Sequence, residues 1–166
     1  MNTTTDLLAQ LRAGKLPADG IVHSADLKGA NLPGAKLAGV RLIMCNLAGA
    51  DLTGADLTGA TLSDCDLAGI KLGGARLTGA IISDCRAAKS DLKGGDLANV
   101  QAGYVDFTGA DFSGAIMADA VLPGAKLAGG ILRDLKGLGV TFEGADLSGA
   151  DFTGAELSQG IFLNCN

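Results

Sequence analysis

Four cysteines, Cys45, Cys65, Cys85 and Cys165, stand apart by multiples of twenty residues, and two of them share a frame, "TLSDCDL" at 61–67 and "IISDCRA" at 81–87. The frame repeats Asp64 and Asp84 with the thiols. Zinc takes four ligands converging on a tetrahedron, with close spacings such as Cys-x2-Cys. A spacing of twenty instead stacks sulfurs in a line, all pointing one way. Neighbours in such a stack meet the Cα separation of a disulfide but not its side-chain geometry. A thiol also behaves as a small hydrophobe, so the four read as core residues with reduced side chains. Two stacked carboxylates share a proton or hold a cation in some sites, yet Asp at a turn more often bonds the local backbone. The single histidine, His23, has no nucleophile motif around it, and no phosphate-binding or zinc-protease signature occurs. The sequence therefore points away from catalysis and names no metal or cofactor.

The element that spaces residues by twenty is visible in the apolar pattern. From Val22 through Leu27, Leu32, Leu37 and onward to Leu157 and Phe162, an apolar residue returns every fifth position in one phase. A small residue sits two positions before it, Asp or Asn often lies between, and Gly commonly closes the unit, as in "ADLTGADLTGA". Neither a 3.6-residue nor a 2-residue period holds such a set on one side. A square coil does, with four five-residue sides per turn and glycine at corners of unusual backbone angle. The composition agrees, with 26 Gly, no Trp and one Tyr in 166 residues.

Tandem units such as "ADLTG", "ADFSG", "ADLSG" and "ADFTG" across residues 22–166 resemble the pentapeptide-repeat family. The resemblance implies an all-β, right-handed quadrilateral parallel β-helix with twenty residues per coil. About seven coils at roughly 4.8 Å give a rod on the order of 34 Å tall. Residues 1–21 read as an N-terminal cap: Thr5 as N-cap, Leu7, Leu8 and Leu11 on one helical face, Gly14 as the stop and Pro17 beyond. So short a helix is marginal alone and is expected to dock its leucines on the first coil. At the other end, Ile161, Phe162 and Leu163 suggest a coil covered by a second copy, which resembles the end-to-end homodimers of the family; a frayed last coil is the competing reading.

Residues twenty apart form vertical columns, so each face can be read separately. Three faces carry acids before the central residue, and bases interrupt them: Lys71, together with apolar Ile131, breaks the column Asp51, Asp91, Asp111, Asp151, while Arg76, Arg86 and Lys126 break the others. Such alternation relieves repulsion between stacked carboxylates. The fourth face holds β-branched residues instead, and its closing corner replaces Gly by Met44, Asp64, Asp84, Tyr104 and Asn164, which implies another turn type. Its apolar stripe of Ile81, Val121 and Ile161, with Met44 and Tyr104 beside it, is the candidate partner-binding strip; sheet propensity alone is the plainer reading. Ala87, Ala102 and Gly137 are too small for the central slot. Phe107 over Ala87 restores volume, whereas "RDLKGLGVTF" is expected to bulge or distort, turning Leu135 or Leu138 inward.

The net charge of −5 and pI near 4.7 speak against direct nucleic-acid binding. Without a secretory leader or a long apolar run, the expectation is a soluble cytoplasmic protein with no membrane contact. The leading function is a non-enzymatic rigid scaffold for an unidentified protein partner. The family resemblance implies an alternative, a DNA mimic acting on DNA gyrase or another type II topoisomerase, for which the candidate column is Asp51, Asp91, Asp111 and Asp151.

Overall fold

The computed structural model describes residues 4–166. The period of five becomes a parallel β-solenoid whose coils pair at an offset of twenty. On the fourth face the pairing forms three-residue strands, β1 (Ile21–His23), β2 (Arg41–Ile43), β3 (Thr61–Ser63), β4 (Ile81–Ser83) and β5 (Gln101–Gly103), in one parallel sheet of order β1-β2-β3-β4-β5. Above β5 the face continues as isolated bridges, Gln101 to Val121, Val121 to Thr141 and Thr141 to Ile161. Single bridges at the residue before the central one tie the other three sides, for instance Asp26 to Asn46, Asn31 to Asp51 and Lys36 to Asp56. Each links two coils both ways: Leu27 N–H donates to Asn46 O at 2.7 Å, and Asn46 N–H donates to Ala25 O at 2.9 Å.

Corners fall two residues past each central side chain, where the backbone must take a positive φ. Gly29, at φ 63°, lets Ala30 N–H reach Leu27 O at 3.0 Å and close the turn. On the fourth face Ser24, Met44, Asp64, Asp84 and Tyr104 hold the same region, at φ between 52° and 56°. Among the described residues no backbone bond closes those five corners, so the side stays extended into a strand. Another turn type was expected from the missing glycines, and this is it. Where Gly124 and Gly144 supply the corner, closure returns, weakly, at 3.4 Å from Ala125 to Leu122 and from Ala145 to Phe142.

The interior is a single column of central leucines, phenylalanines and Met117, edged by the small residues before them. Phe107 and Phe112 meet edge to face at 5.2 Å, and Ala87 and Ala102 are both buried. The expected distortion near Gly137 does not occur. Ile131 pairs with Asp151 and Lys136 with Glu156 in unbroken register. Leu157 Cδ2 and Val140 Cγ1 lie 2.9 and 3.0 Å from where a Gly137 Cβ would stand, so neighbours fill the missing side chain's space. Leu135 is buried in the slot that alanine takes elsewhere, and Leu138 faces outward.

Helix α1 (Thr4–Arg12) covers the lower end. Leu11 is buried, and Leu7, Leu8 and Leu16 pack partly against the core. The helix begins at Thr4, which puts Thr5 inside its first turn rather than at the cap; Met1–Thr3 of the expected capping segment lie outside the described residues. Gly14 stops it as expected: at φ 67° its N–H donates to Leu11 O at 3.0 Å, and Lys15 N–H donates to Gln10 O at 2.9 Å. Those two bonds make a Schellman motif.

Candidate interaction surfaces

The acids of the repeat are engaged with the backbone. Asp51 Oδ1 accepts from Thr53 N–H at 3.0 Å, Asp91 from Lys93 N–H at 3.1 Å, Asp111 from Ser113 N–H at 3.0 Å and Asp151 from Thr153 N–H at 2.9 Å. Asp26, Asp56, Asp66, Asp96, Asp106 and Asp146 do the same two residues onward. Asn46 accepts from Ala48 N–H at 3.1 Å in the same way. Where Asp, or Asn46, precedes the apolar center, it is thus an Asx cap on the corner that follows. Hydroxyls reinforce it: those of Thr58, Ser113 and Thr153 each lie 2.6 Å from the carboxylate.

Such donors favour the ionised form. The Thr153 hydroxyl, then its N–H, then Arg133 hold Asp151 down at about 2. Thr53 N–H lowers Asp51, and the Thr58 hydroxyl lowers Asp56. Burial pushes Asp111 up, but Ser113 and Lys93 outweigh it and leave it lowered.

Bases outside the acid columns also reach them. Lys93 Nζ lies 3.2 Å from Asp111 and 3.9 Å from Asp91, and Arg133 Nε lies 2.6 Å from Asp151. On the neighbouring faces Arg76 pairs with Asp56 at 3.5 Å and Arg86 with Asp66 at 3.1 Å. Three of the four candidate DNA-mimic acids, Asp91, Asp111 and Asp151, therefore carry a paired cation, and Asp51 stands beside Lys71. Column reading missed Lys93 and Arg133 because they follow the central residue rather than precede it.

The cysteines sit where the fourth face turns onto the next. Cys45, Cys65 and Cys85 are buried and Cys165 is half-buried, all as free thiols. Each sulfhydryl donates to carbonyls: Cys45 to Val22 O at 3.3 Å, Cys65 to Leu42 O at 3.4 Å, Cys85 to Leu62 O at 3.5 Å, and Cys165 to Phe142 O. Cys65 N–H donates to Cys85 Sγ at 3.3 Å. Contact with Cys65 and burial push Cys45 up. Cys65 rises to about 11, the pull of its bond to Cys45 being outweighed by Cys85 and burial. Among the described residues no three His, Cys, Asp or Glu side chains converge as metal ligands. Asp64 and Asp84 are exposed, and neither carboxylate is drawn into a hydrogen bond or ion pair among the described residues. The lone His23 contacts Ser24 Oγ through Nδ1 at 2.8 Å.

The candidate strip is solvent-facing throughout. Met44 is 58% and Tyr104 72% exposed, and Ile81, Val121 and Ile161 are also open. A shallow groove of about 540 Å³ lies within it, floored by Gln101 and Gly103, with Ile81 on one side and Val121 and Pro123 on the other. The C-terminal coil is open as well. Phe162 stacks on Phe142 at 5.4 Å, but Ile161, Phe162 and Leu163 are exposed, while Leu147, Phe152 and Leu157 are only partly covered.

Fold and surface together define a parallel β-solenoid of five-residue sides with an open apolar end and an apolar strip along its fourth face. The chain belongs to the pentapeptide-repeat family: the profile described as Pentapeptide repeats matches in eight copies, over residues 23–59, 60–99, 96–134 and 139–166. Comparison with curated proteins finds no match. Among solved structures, full-length QnrB1, a plasmid-mediated fluoroquinolone resistance protein, is 21% identical over 88% of this chain and 92% of its own, with a TM-score of 0.56. HetL, a pentapeptide repeat protein involved in heterocyst differentiation regulation in the cyanobacterium Nostoc sp. strain PCC 7120, is 29% identical over 97% of this chain and 94% of its own, at a TM-score of 0.49. The likeness to QnrB1 is one of fold. No helix among the described residues is long and apolar enough to cross a membrane.

Proposed function

We propose that this chain is a non-enzymatic rigid scaffold in the cytoplasm that binds a protein partner through its fourth face and pairs with a second copy through its C-terminal coil. One observation carries the reading: of the nine large apolar side chains exposed among the described residues, five, Met44, Ile81, Tyr104, Val121 and Ile161, form one strip on the side with the longest runs of paired strand, whereas Ile116 and Leu138 lie on another face and Phe162 and Leu163 on the C-terminal coil. Exposed apolar strips of this kind mark interaction sites. The C-terminal coil supports self-pairing, because an uncovered solenoid end exposes both apolar side chains and the backbone edge.

The DNA-mimic alternative rests on the family resemblance, and QnrB1, a fluoroquinolone resistance protein, shares the fold. Ion pairs from Lys93 and Arg133 weigh against it, since they shorten the negative stripe that a duplex mimic presents. Site-specific photocrosslinking in the native host tests the scaffold reading. A photoreactive aromatic residue replacing Tyr104 is expected to give a discrete protein adduct, and the same residue at exposed Thr108, off the strip, is expected to give none. Equal labelling from both positions, or none from Tyr104, contradicts it.

A further inference from the structure

The groove on the fourth face is open because position 103 has no side chain, and the backbone does not require glycine there. Gly103 is not among the left-handed residues, and an added Cβ would touch only Pro123 Cγ, at an ordinary 3.6 Å. By contrast Gly124 has a positive φ of 62°, which favours glycine, and the Tyr104 ring lies 2.7 Å from where a Cβ would stand. Neither backbone angle nor close contact thus demands glycine at 103, and its small size leaves the groove open.

The one charged residue in the groove's lining is an acid, and two more acids stand on the corner beyond Ser83. Asp119 lines the groove at the corner before Val121, and Asn99 at the corner before Gln101. Asp84 follows Ser83 at the opposite corner, with Asp64 directly one coil below it. None of the three forms a salt bridge among the described residues, whereas on the other faces Asp56, Asp66, Asp91, Asp111 and Asp151 are met by Arg76, Arg86, Lys93 and Arg133. The nearest base beyond that corner, Arg86, is held by Asp66 at 3.1 Å. Arg41 lies two coils below Ile81 in the same column. The sides offer apolar contact from Ile81, Val121 and Pro123, and Gln101 in the floor supplies an amide.

The geometry points to a docking site for an extended peptide segment of a partner protein, in which one aliphatic or aromatic side chain enters the groove over Gly103 and flanking lysines or arginines meet Asp64, Asp84 and Asp119. This rests on the scaffold reading and specifies the chemistry of its partner. Apolar burial supplies the anchor, and the uncompensated carboxylates select the flanks and steer association.

The test is selection of a random dodecapeptide phage library on the immobilised full chain, followed by fluorescence anisotropy with the fluorescein-labelled consensus peptide. The expected consensus is an apolar residue flanked by Lys or Arg. Its affinity should fall by about tenfold or more in Gly103→Leu, which fills the groove. It should fall by about three- to tenfold in the combined Asp64→Asn, Asp84→Asn, Asp119→Asn variant, the latter loss shrinking at high salt. Gly103→Thr is the second variant should leucine disturb the coil, with thermal unfolding reporting the fold of each. A library that yields no basic consensus, or a consensus peptide bound equally by parent and both Gly103 variants, overturns the proposal. Either result leaves the Tyr104 adduct untouched, and loss of that adduct would instead overturn the scaffold reading.

Discussion

The carboxylate before each central residue receives the N–H two residues later, which explains why the repeat favours Asp and Asn at that position. The lowered acids make this arrangement sensitive to pH. A carboxyl whose folded value lies below its unfolded value of about 3.9 stabilises the fold above that pH and loses the contribution as pH falls through the folded value. Asp151, at about 2, sets the lower limit. The midpoint of thermal unfolding should therefore drop between about pH 4 and 2. Thr153→Val removes the first of the groups holding Asp151 down, so a carboxyl NMR titration should show its value rising toward the ordinary range. An unchanged value would mean that the hydroxyl does not set it. Ser90 is the opposite case: its Oγ is buried with no hydrogen-bond partner among the described residues, in a slot that alanine fills elsewhere. Ser90→Ala should raise stability by about 1 kcal/mol in urea unfolding. A loss of stability would mean that the hydroxyl has a partner, such as an ordered water.

At the scale of the element, helix α1 covers coil edges that would otherwise meet water, and Leu11 is its buried anchor. Leu11→Ala should cost about 2–4 kcal/mol and speed amide exchange first in β1 and the corners beside it. Uniform exchange throughout the rod would show that the cap does not act locally. Much at this scale was legible in the sequence, because a five-residue phase can be satisfied by few backbones: the coil, the columns, the altered corners of the fourth face and the Gly14 stop all follow from spacing. The coil around Gly137 was not. Whether a missing side chain leaves a void depends on neighbours three and twenty residues away, here Val140 and Leu157. The charge pairs were hidden for a similar reason, since Lys93 and Arg133 reach acids one coil above from positions that no single column contains.

Across the whole molecule, the two ends differ. One is covered by α1, and the other leaves Ile161, Phe162 and Leu163 exposed. Sedimentation velocity should find a dimer for the parent chain and a monomer for Phe162→Ser with Leu163→Ser; a monomeric parent, or a dimer surviving both substitutions, would remove self-pairing from the proposed function. The rod also separates two candidate surfaces, an acid column used to hold its own corners and an apolar face that is not. They can be disabled independently. Asn46 shows that an amide fills the capping role, so Asp51→Asn, Asp91→Asn, Asp111→Asn and Asp151→Asn together should remove charge while keeping the corners. Ile81→Ser with Val121→Ser removes the apolar face without touching the core. The most direct measurement is the Tyr104 photocrosslink in these two backgrounds: the adduct should persist in the four-Asn variant and vanish in the two-Ser variant, and the reverse pattern would contradict partner binding through the fourth face.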